Sequence, residues 1–153
     1  MHKDYRTAEI VTVSWEQVYQ HTVALASQIA GLCAWRGIVA ISRGGLVPAA
    51  ILAHELDIRR VETVVVTSYE ARVQGPARLL KGADGAGEGE GWLIVDDLVD
   101  SGATATVVRA SLPKSRFVAV YAKPDGLAAV DNFAVSLAQG VWLRFPWEGN
   151  DLP

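Results

Sequence analysis

Cysteine is almost absent from this chain. Cys33 is the one thiol in 153 residues, so an intrachain disulfide and a cysteine-built zinc centre are both excluded, which fits a reducing compartment. Cys33 itself is expected to be a small buried hydrophobe. Positive charge is also in short supply: 14 lysines and arginines face 17 acids, for a formal charge of -3. A broad nucleic-acid-binding face needs clustered cations to displace counterions, so no nucleic-acid partner is expected. No apolar run approaches the roughly 18 residues that cross a bilayer, and no integral membrane segment is expected. The opening Met1-His2-Lys3-Asp4-Tyr5-Arg6 carries no apolar signal core. The expectation is a cytoplasmic protein.

What the chain does have is apolar content. Hydrophobic residues make up 50% of it, enough at this length for one core without staples, so residues 1–153 are expected to form a single domain. Ile10 to Val13 reads as a short strand. Ser14 follows as an N-cap with Gln17 three residues on, the capping-box pattern. The helix it opens should run to about Leu32, with Val18, Leu25, Ile29 and Leu32 on one face. Ile38 to Ile41 reads as a buried strand, Ser42-Arg43-Gly44-Gly45 as a tight turn, and Val47 to Leu56 as a helix with Pro48 in its first turn. Val61 to Thr67 is a β-branched strand.

From Tyr69 to Gly91 the periodicity dissolves. Residues 82–91 hold five glycines, a composition that favours mobility over packing. Trp92 to Val95 then reads as a strand, a helix opens near Thr104 and runs to about Ser111, and strands follow at Phe117 to Tyr121 and near Phe133 to Leu137, with a turn at Lys123-Pro124-Asp125-Gly126. Repeated β-α-β units imply an α/β fold with a mainly parallel sheet covered on both faces.

The most informative stretch is Leu93-Ile94-Val95-Asp96-Asp97-Leu98-Val99-Asp100-Ser101-Gly102-Ala103-Thr104. An apolar strand ends at two adjacent acids and passes into a small, hydroxyl-rich turn. In open α/β sheets the carboxyl edge is where ligands bind. A helix N-terminus there, with free N–H groups and a glycine permitting close approach, suits a phosphate. The pattern lacks the lysine of the GxxxxGK[ST] loop and the glycine spacing of GxGxxG. Ser101 and Thr104 also suit plain helix capping.

This stretch resembles the phosphoribosyl pyrophosphate signature of type I phosphoribosyltransferases. Further segments resemble the same family in matching order, and more narrowly its bacterial xanthine-guanine members: Ser42-Arg43-Gly44-Gly45-Leu46-Val47-Pro48, Ser68-Tyr69, Ala122-Lys123-Pro124, and Val141-Trp142 to Pro146-Trp147. The resemblance covers nearly the whole chain. It implies a type I phosphoribosyltransferase fold with a flexible hood loop over about 69–91 and a base-binding region over about 122–153. The implied activity is purine salvage: guanine or xanthine, and hypoxanthine more weakly, plus phosphoribosyl pyrophosphate gives the nucleoside monophosphate and pyrophosphate.

Roles for individual residues follow from the resemblance. Asp96 and Asp97 would hold the ribose hydroxyls and help position Mg²⁺, with Asp97 the better metal ligand. Leu98 and Val99 continue the donor-binding segment, and Asp100, Ser101, Gly102, Ala103 and Thr104 would wrap the 5′-phosphate. Asp100 would also assist the proton on the imidazole side of the purine, as the catalytic residue. Arg43 and Gly44 would form the pyrophosphate loop, and the family's cis non-proline peptide would fall at Ser42–Arg43. Within the hood, Arg72, Arg78 and Lys81 could reach pyrophosphate, with Arg78 favoured. Lys123 would meet the purine 6-oxo group, Trp142 would stack on the base, and the carbonyls of Trp142 and Leu143 would accept from it. Glu148, where close relatives carry aspartate, would adjust contacts at the purine 2-position.

The resemblance further implies a homotetramer and leaves room for peripheral association at the inner membrane, although no amphipathic basic helix supports the latter. Trp35, Trp92, Trp147 and Leu152 are candidates for interface or core. Two other readings stay open: a regulatory protein that senses the donor or a nucleotide on the same fold, and a generic nucleotide-binding domain.

Overall fold

The computed structural model describes residues 7–67 and 76–149. The chain begins with strand β1 (Ile10–Thr12) and helix α1 (Trp15–Ile29), followed by β2 (Gly37–Ser42), α2 (Leu46–Glu55), β3 (Val61–Thr67) and β4 (Arg78–Lys81). Then come β5 (Trp92–Val99), α3 (Ala103–Ser111), β6 (Arg116–Ala122), β7 (Asn132–Ser136) and β8 (Trp142–Arg144). Six strands form one sheet in the order β4-β3-β2-β5-β6-β7, parallel throughout except that β4 runs antiparallel to β3. Strands β1 and β8 pair in parallel as a separate two-stranded sheet.

The strand sequences explain why both faces of the large sheet are covered. Side chains alternate between faces with a period of two, and in β2 Ile38 and Ala40 point one way while Val39 and Ile41 point the other. The first set packs with Leu93, Val95 and Val118 under Leu25 and Ile29 of α1 and Ala49 and Leu52 of α2. The second packs with Ile94, Phe117 and Ala119 under Ala105 and Val108 of α3. A strand apolar on both faces is stable only between two helical layers. A third cluster joins the small sheet to the rest: Val13, Val18, Tyr121, Leu143 and Phe145 pack together, with Trp147 against them. Phe145 and Trp147 stack with ring centroids 4.6 Å apart.

Helix α1 starts as expected, with the Ser14 side chain accepting from the Gln17 N–H and the Gln17 side chain accepting from the Ser14 N–H. It stops at Ile29 rather than near Leu32, and Leu32 is 49% exposed instead of lying on the packed face. The chain has left helical geometry there, so the 3.6-residue phase no longer carries Leu32 to the core. Cys33, in the turn that follows, is exposed rather than buried.

The stretch 78–91 also departs from expectation. Residues 78–81 form β4, adding an antiparallel edge to the sheet. Ala83 and Ala86 are buried and join the core cluster on the α3 side. The glycines there turn the chain tightly enough for two alanines to pack, so a glycine-rich composition produces an ordered corner. Trp92 is buried core, Trp35 packs on the α1–α2 side, and Leu152 lies outside the described residues. Ser68, Tyr69 and Arg72 lie outside them too.

Candidate active site

Strand β5 runs through both acids to Val99 instead of stopping at Val95. Its pairing with β2 ends at Ala40↔Val95, whereas its pairing with β6 continues to Val99↔Ala122. Asp96 and Asp97 therefore lie in the segment of β5 that outlasts its neighbour, at the carboxyl edge of the sheet. The turn leaving β2 fills the vacated side. Gly45 sits so close that a Cβ would lie 2.2 Å from the Val95 carbonyl oxygen, and a Cβ on Gly44 would lie 2.5 Å from Asp97 Oδ2. Only glycines let this turn lie against β5. The peptide between Ser42 and Arg43 is cis, at the expected bond. Arg43 is exposed beside the acidic pair's neighbour Gly44.

Each acid is held by the backbone next to it. Asp96 Oδ1 accepts from the Asp97 N–H at 2.9 Å, and Asp97 Oδ1 accepts from the Leu98 N–H at 2.7 Å. Burial pushes the Asp96 carboxyl well above the usual carboxylate range, and the adjacent Asp97 charge adds to the effect. Burial likewise pushes Asp97 up to about 6, against hydrogen bonds from Asp96 and the Leu98 N–H that pull it down, with the Glu148 charge adding a smaller upward push. Two carboxylates out of water and side by side disfavour double ionisation. A cation or a set of sugar hydroxyls placed on them would relieve that cost.

Beyond β5 the chain turns sharply. Gly102 has φ of +86° at the N-cap of α3, a left-handed conformation that costs other residues energy. The Ser101 hydroxyl accepts from the Ala103 N–H at 3.3 Å. Ser101 and Ala103 are exposed and Thr104 is half-buried at the start of α3, so the N–H groups that the first helical turn leaves without intrahelical partners lie next to two hydroxyl-bearing residues. Val99 is buried in the core and Leu98 packs against the third cluster, so both can offer a ligand only backbone.

Asp100 follows β5 at the entry to this turn, with its side chain 32% exposed. Its Oδ2 lies 3.3 Å from Lys123 Nζ, and Lys123 is almost fully buried, at 1% exposure. The Lys123 N–H donates to the Val99 carbonyl at 2.9 Å, which locks the start of the 3-10 turn Pro124–Ala129 to the end of β5. Strand β8 brings in Trp142, half-buried, and Leu143, buried. The Trp142 N–H donates to the Glu9 carbonyl at 2.8 Å and the Val13 N–H to the Arg144 carbonyl at 3.0 Å. In a parallel ladder the residues that pair this way alternate, so the Leu143 carbonyl faces away from β1.

The sequence profile of the phosphoribosyl transferase domain matches residues 14–149. The chain belongs to this family. It is 50% identical over 137 residues to a xanthine-guanine phosphoribosyltransferase of Chromohalobacter salexigens, covering 90% of this chain and 83% of that one. It is 47% identical to the protein of that name from Desulfotalea psychrophila, covering 89% and 84%. The crystal structure of a purine phosphoribosyltransferase from Pyrococcus horikoshii superposes with a TM-score of 0.73 at 25% identity, over 95% of this chain and 97% of that one.

Within this phosphoribosyl transferase fold, Asp96, Asp97, Asp100 to Thr104, Gly44 and Lys123 converge on one edge of the sheet, with Arg43 in the adjoining turn. Arg78 lies farther out. It sits on β4 opposite Thr67 at the carboxyl end of β3, two strand spacings from β2 and its Arg43–Gly44 turn, or about 10 Å. Lys81, also on β4, donates from Nζ to the Thr63 carbonyl of β3 at 2.6 Å. Gln139 is a residue that sequence reasoning did not single out: its Nε2 donates to Asp100 Oδ1 at 2.5 Å. No local pattern marks a glutamine 39 positions away as a partner of Asp100.

Proposed function

We propose that the protein is a purine salvage enzyme, transferring the phosphoribosyl group of phosphoribosyl pyrophosphate to guanine or xanthine, and less well to hypoxanthine, with release of pyrophosphate. The observation that carries this reading is the placement of the Asp96–Asp97 pair, one buried and one half-buried, an open helix N-terminus and the Asp100–Lys123 pair on one sheet edge. Relatives named xanthine-guanine phosphoribosyltransferase share most of the chain at 46–50% identity. The whole chain works as one domain, with the base-binding region in residues 122–153.

The reaction breaks the bond between the anomeric carbon and pyrophosphate, so positive charge develops on the ribose ring and negative charge on the leaving group. Asp96 and Asp97 accept hydrogen bonds from the ribose hydroxyls. The turn of Asp100, Ser101, Gly102, Ala103 and Thr104, entered from Leu98 and Val99, receives the 5′-phosphate through N–H groups and hydroxyls. Arg43 and the Gly44 N–H face the pyrophosphate, whose growing charge they stabilise. Arg78 contributes to this charge only if β4 approaches.

Mg²⁺ fits the donor set. Among the described residues no three His, Cys, Asp or Glu side chains cluster as a metal cage, and magnesium needs only one or two carboxylates beside waters and substrate oxygens. Asp97, with Asp96 beside it, is the residue to hold the ion. When bound, the ion neutralises charge on the leaving pyrophosphate.

Asp100 accepts the proton from the imidazole side of the purine as its nitrogen attacks. Lys123 places positive charge beside that carboxylate and toward the purine 6-oxo group, which selects oxo over amino purines. Trp142 stacks on the base, and the Leu143 carbonyl, turned away from β1, accepts from it, whereas the Trp142 carbonyl faces β1 with its own N–H. Glu148 borders the 2-position. We further propose a cytoplasmic homotetramer. An assay of guanine, xanthine, hypoxanthine and adenine with phosphoribosyl pyrophosphate, with and without Mg²⁺, tests the reading. Metal-dependent turnover of guanine and xanthine with adenine inert is expected. Donor binding without turnover of any purine would favour a sensor and overturn it.

A further inference from the structure

Asp100 is gripped from two sides, and only one grip belongs to the motif that marks the site. Lys123 Nζ faces Oδ2 at 3.3 Å from the 3-10 turn, and Gln139 Nε2 faces Oδ1 at 2.5 Å from the loop between β7 and β8. The other end of the same amide is also occupied, since the Asp125 N–H donates to Gln139 Oε1 at 2.8 Å. Because that backbone group can only donate, the amide oxygen must face it and the amide nitrogen must face Asp100. The orientation of Gln139 is thus settled by the backbone of the 3-10 turn. Its two hydrogen bonds tie the phosphate-binding turn, the Lys123 turn and the approach to Trp142 into one unit.

We propose that Gln139 is a positioning residue for Asp100. The inference rests on the reading of Asp100 as the group that takes the purine proton. A carboxylate free to rotate about its χ2 bond would spend much of its time with both oxygens turned from the purine. Gln139 holds one oxygen and Lys123 the other, which fixes the carboxylate plane relative to the site. Lys123 on the 3-10 turn places its charge against Asp100, whereas the Gln139 amide is neutral at every pH. It therefore holds the carboxylate without adding a competing charge, and it favours the ionised form.

Replacement by glutamate separates this role from a merely structural one. Gln139→Glu keeps the side-chain length and the acceptor for the Asp125 N–H, but turns a carboxylate oxygen toward Asp100 in place of a donor. Steady-state kinetics with phosphoribosyl pyrophosphate, guanine and Mg²⁺ should show kcat lowered roughly 10- to 100-fold. KM for the donor should stay within about twofold, and the acidic limb of the kcat profile should move to higher pH, because a like charge raises the Asp100 pKa. Gln139→Met, neutral and of similar size, should lower kcat with KM for the donor unchanged, and it decides the matter if the glutamate variant does not fold. Wild-type kcat and an unmoved acidic limb in Gln139→Glu, or wild-type kcat in Gln139→Met, would overturn the role of Gln139 alone. A wild-type protein inert toward every purine would instead overturn the assignment of the site itself.

Discussion

Removing the charge of Asp97 should make the ligand-free protein more stable while abolishing its use of the donor. Burial raises this carboxyl from 3.8 to about 6, so above pH 6 the folded chain holds an ionised group whose charge is less well stabilised than in the unfolded chain. One pKa unit corresponds to about 1.4 kcal/mol, which sets an upper limit of about 3 kcal/mol on the cost at neutral pH. Residual water contact and the neighbouring Asp96 reduce it, and a net gain of roughly 1–3 kcal/mol is expected for Asp97→Asn. The asparagine oxygen can still accept from the Leu98 N–H, and the side chain still fits against Gly44.

The sign of the pH dependence is fixed by the direction of the shift. A raised carboxyl lets the folded state hold its proton where the unfolded chain has lost it, so the Asp97 contribution to wild-type stability falls as pH rises from about 4 to about 6 and is constant above. The advantage of Asp97→Asn should be full at pH 7.5, near half at pH 5 and absent below both pKa values. Melting in a metal chelator is the assay, and the gain at pH 7.5 should raise Tm by roughly 2–8 °C for a chain of this size. The same variant should lose the additional stabilisation that donor and Mg²⁺ give the wild type. An equal or lower Tm at pH 7.5, with no change in the difference between pH 5 and 7.5, would refute the reasoning.

Three further outcomes are expected. Asp100→Asn should lower kcat roughly 100-fold or more with a smaller change in donor KM, because it removes the proton acceptor and keeps the shape; equal losses in both, by steady-state kinetics, would contradict its role. Gly45→Ala should destabilise the fold by roughly 1–3 kcal/mol or more in urea unfolding, since its Cβ would sit 2.2 Å from the Val95 carbonyl and 2.9 Å from that of Ile41. Trp142→Ala should raise KM for guanine about tenfold or more with donor KM little changed, given about 1–3 kcal/mol for stacking on a base; an unchanged guanine KM would remove Trp142 from the base site.

Much of the architecture is legible in the sequence where one local signal governs one element. The capping pair Ser14 and Gln17 starts α1 because both partners lie within a single turn. The apolar strands are readable because burial on both faces leaves them little polar content. The corner at 82–91 is not readable in this way. Its glycines look like slack, but Ala83 and Ala86 are packed by the core beneath them. Leu32 and Cys33 fail for the opposite reason, since the periodicity continues in sequence after the helix has ended in space.

For the site, the chain from Asp96 to Thr104 carries its own chemistry in order: acids at a strand's end, then a glycine able to take positive φ, then a helix N-terminus. Those properties are covalently adjacent, so the sequence alone carries the family and the expected place of its site. The raised pKa of the two acids, the clasp on Asp100 by Lys123 and Gln139, and the distance of Arg78 from the cluster were decided only by the tertiary structure. Burial and partnership between residues tens of positions apart are properties of packed layers in three dimensions, and no local stretch of the chain encodes them by itself.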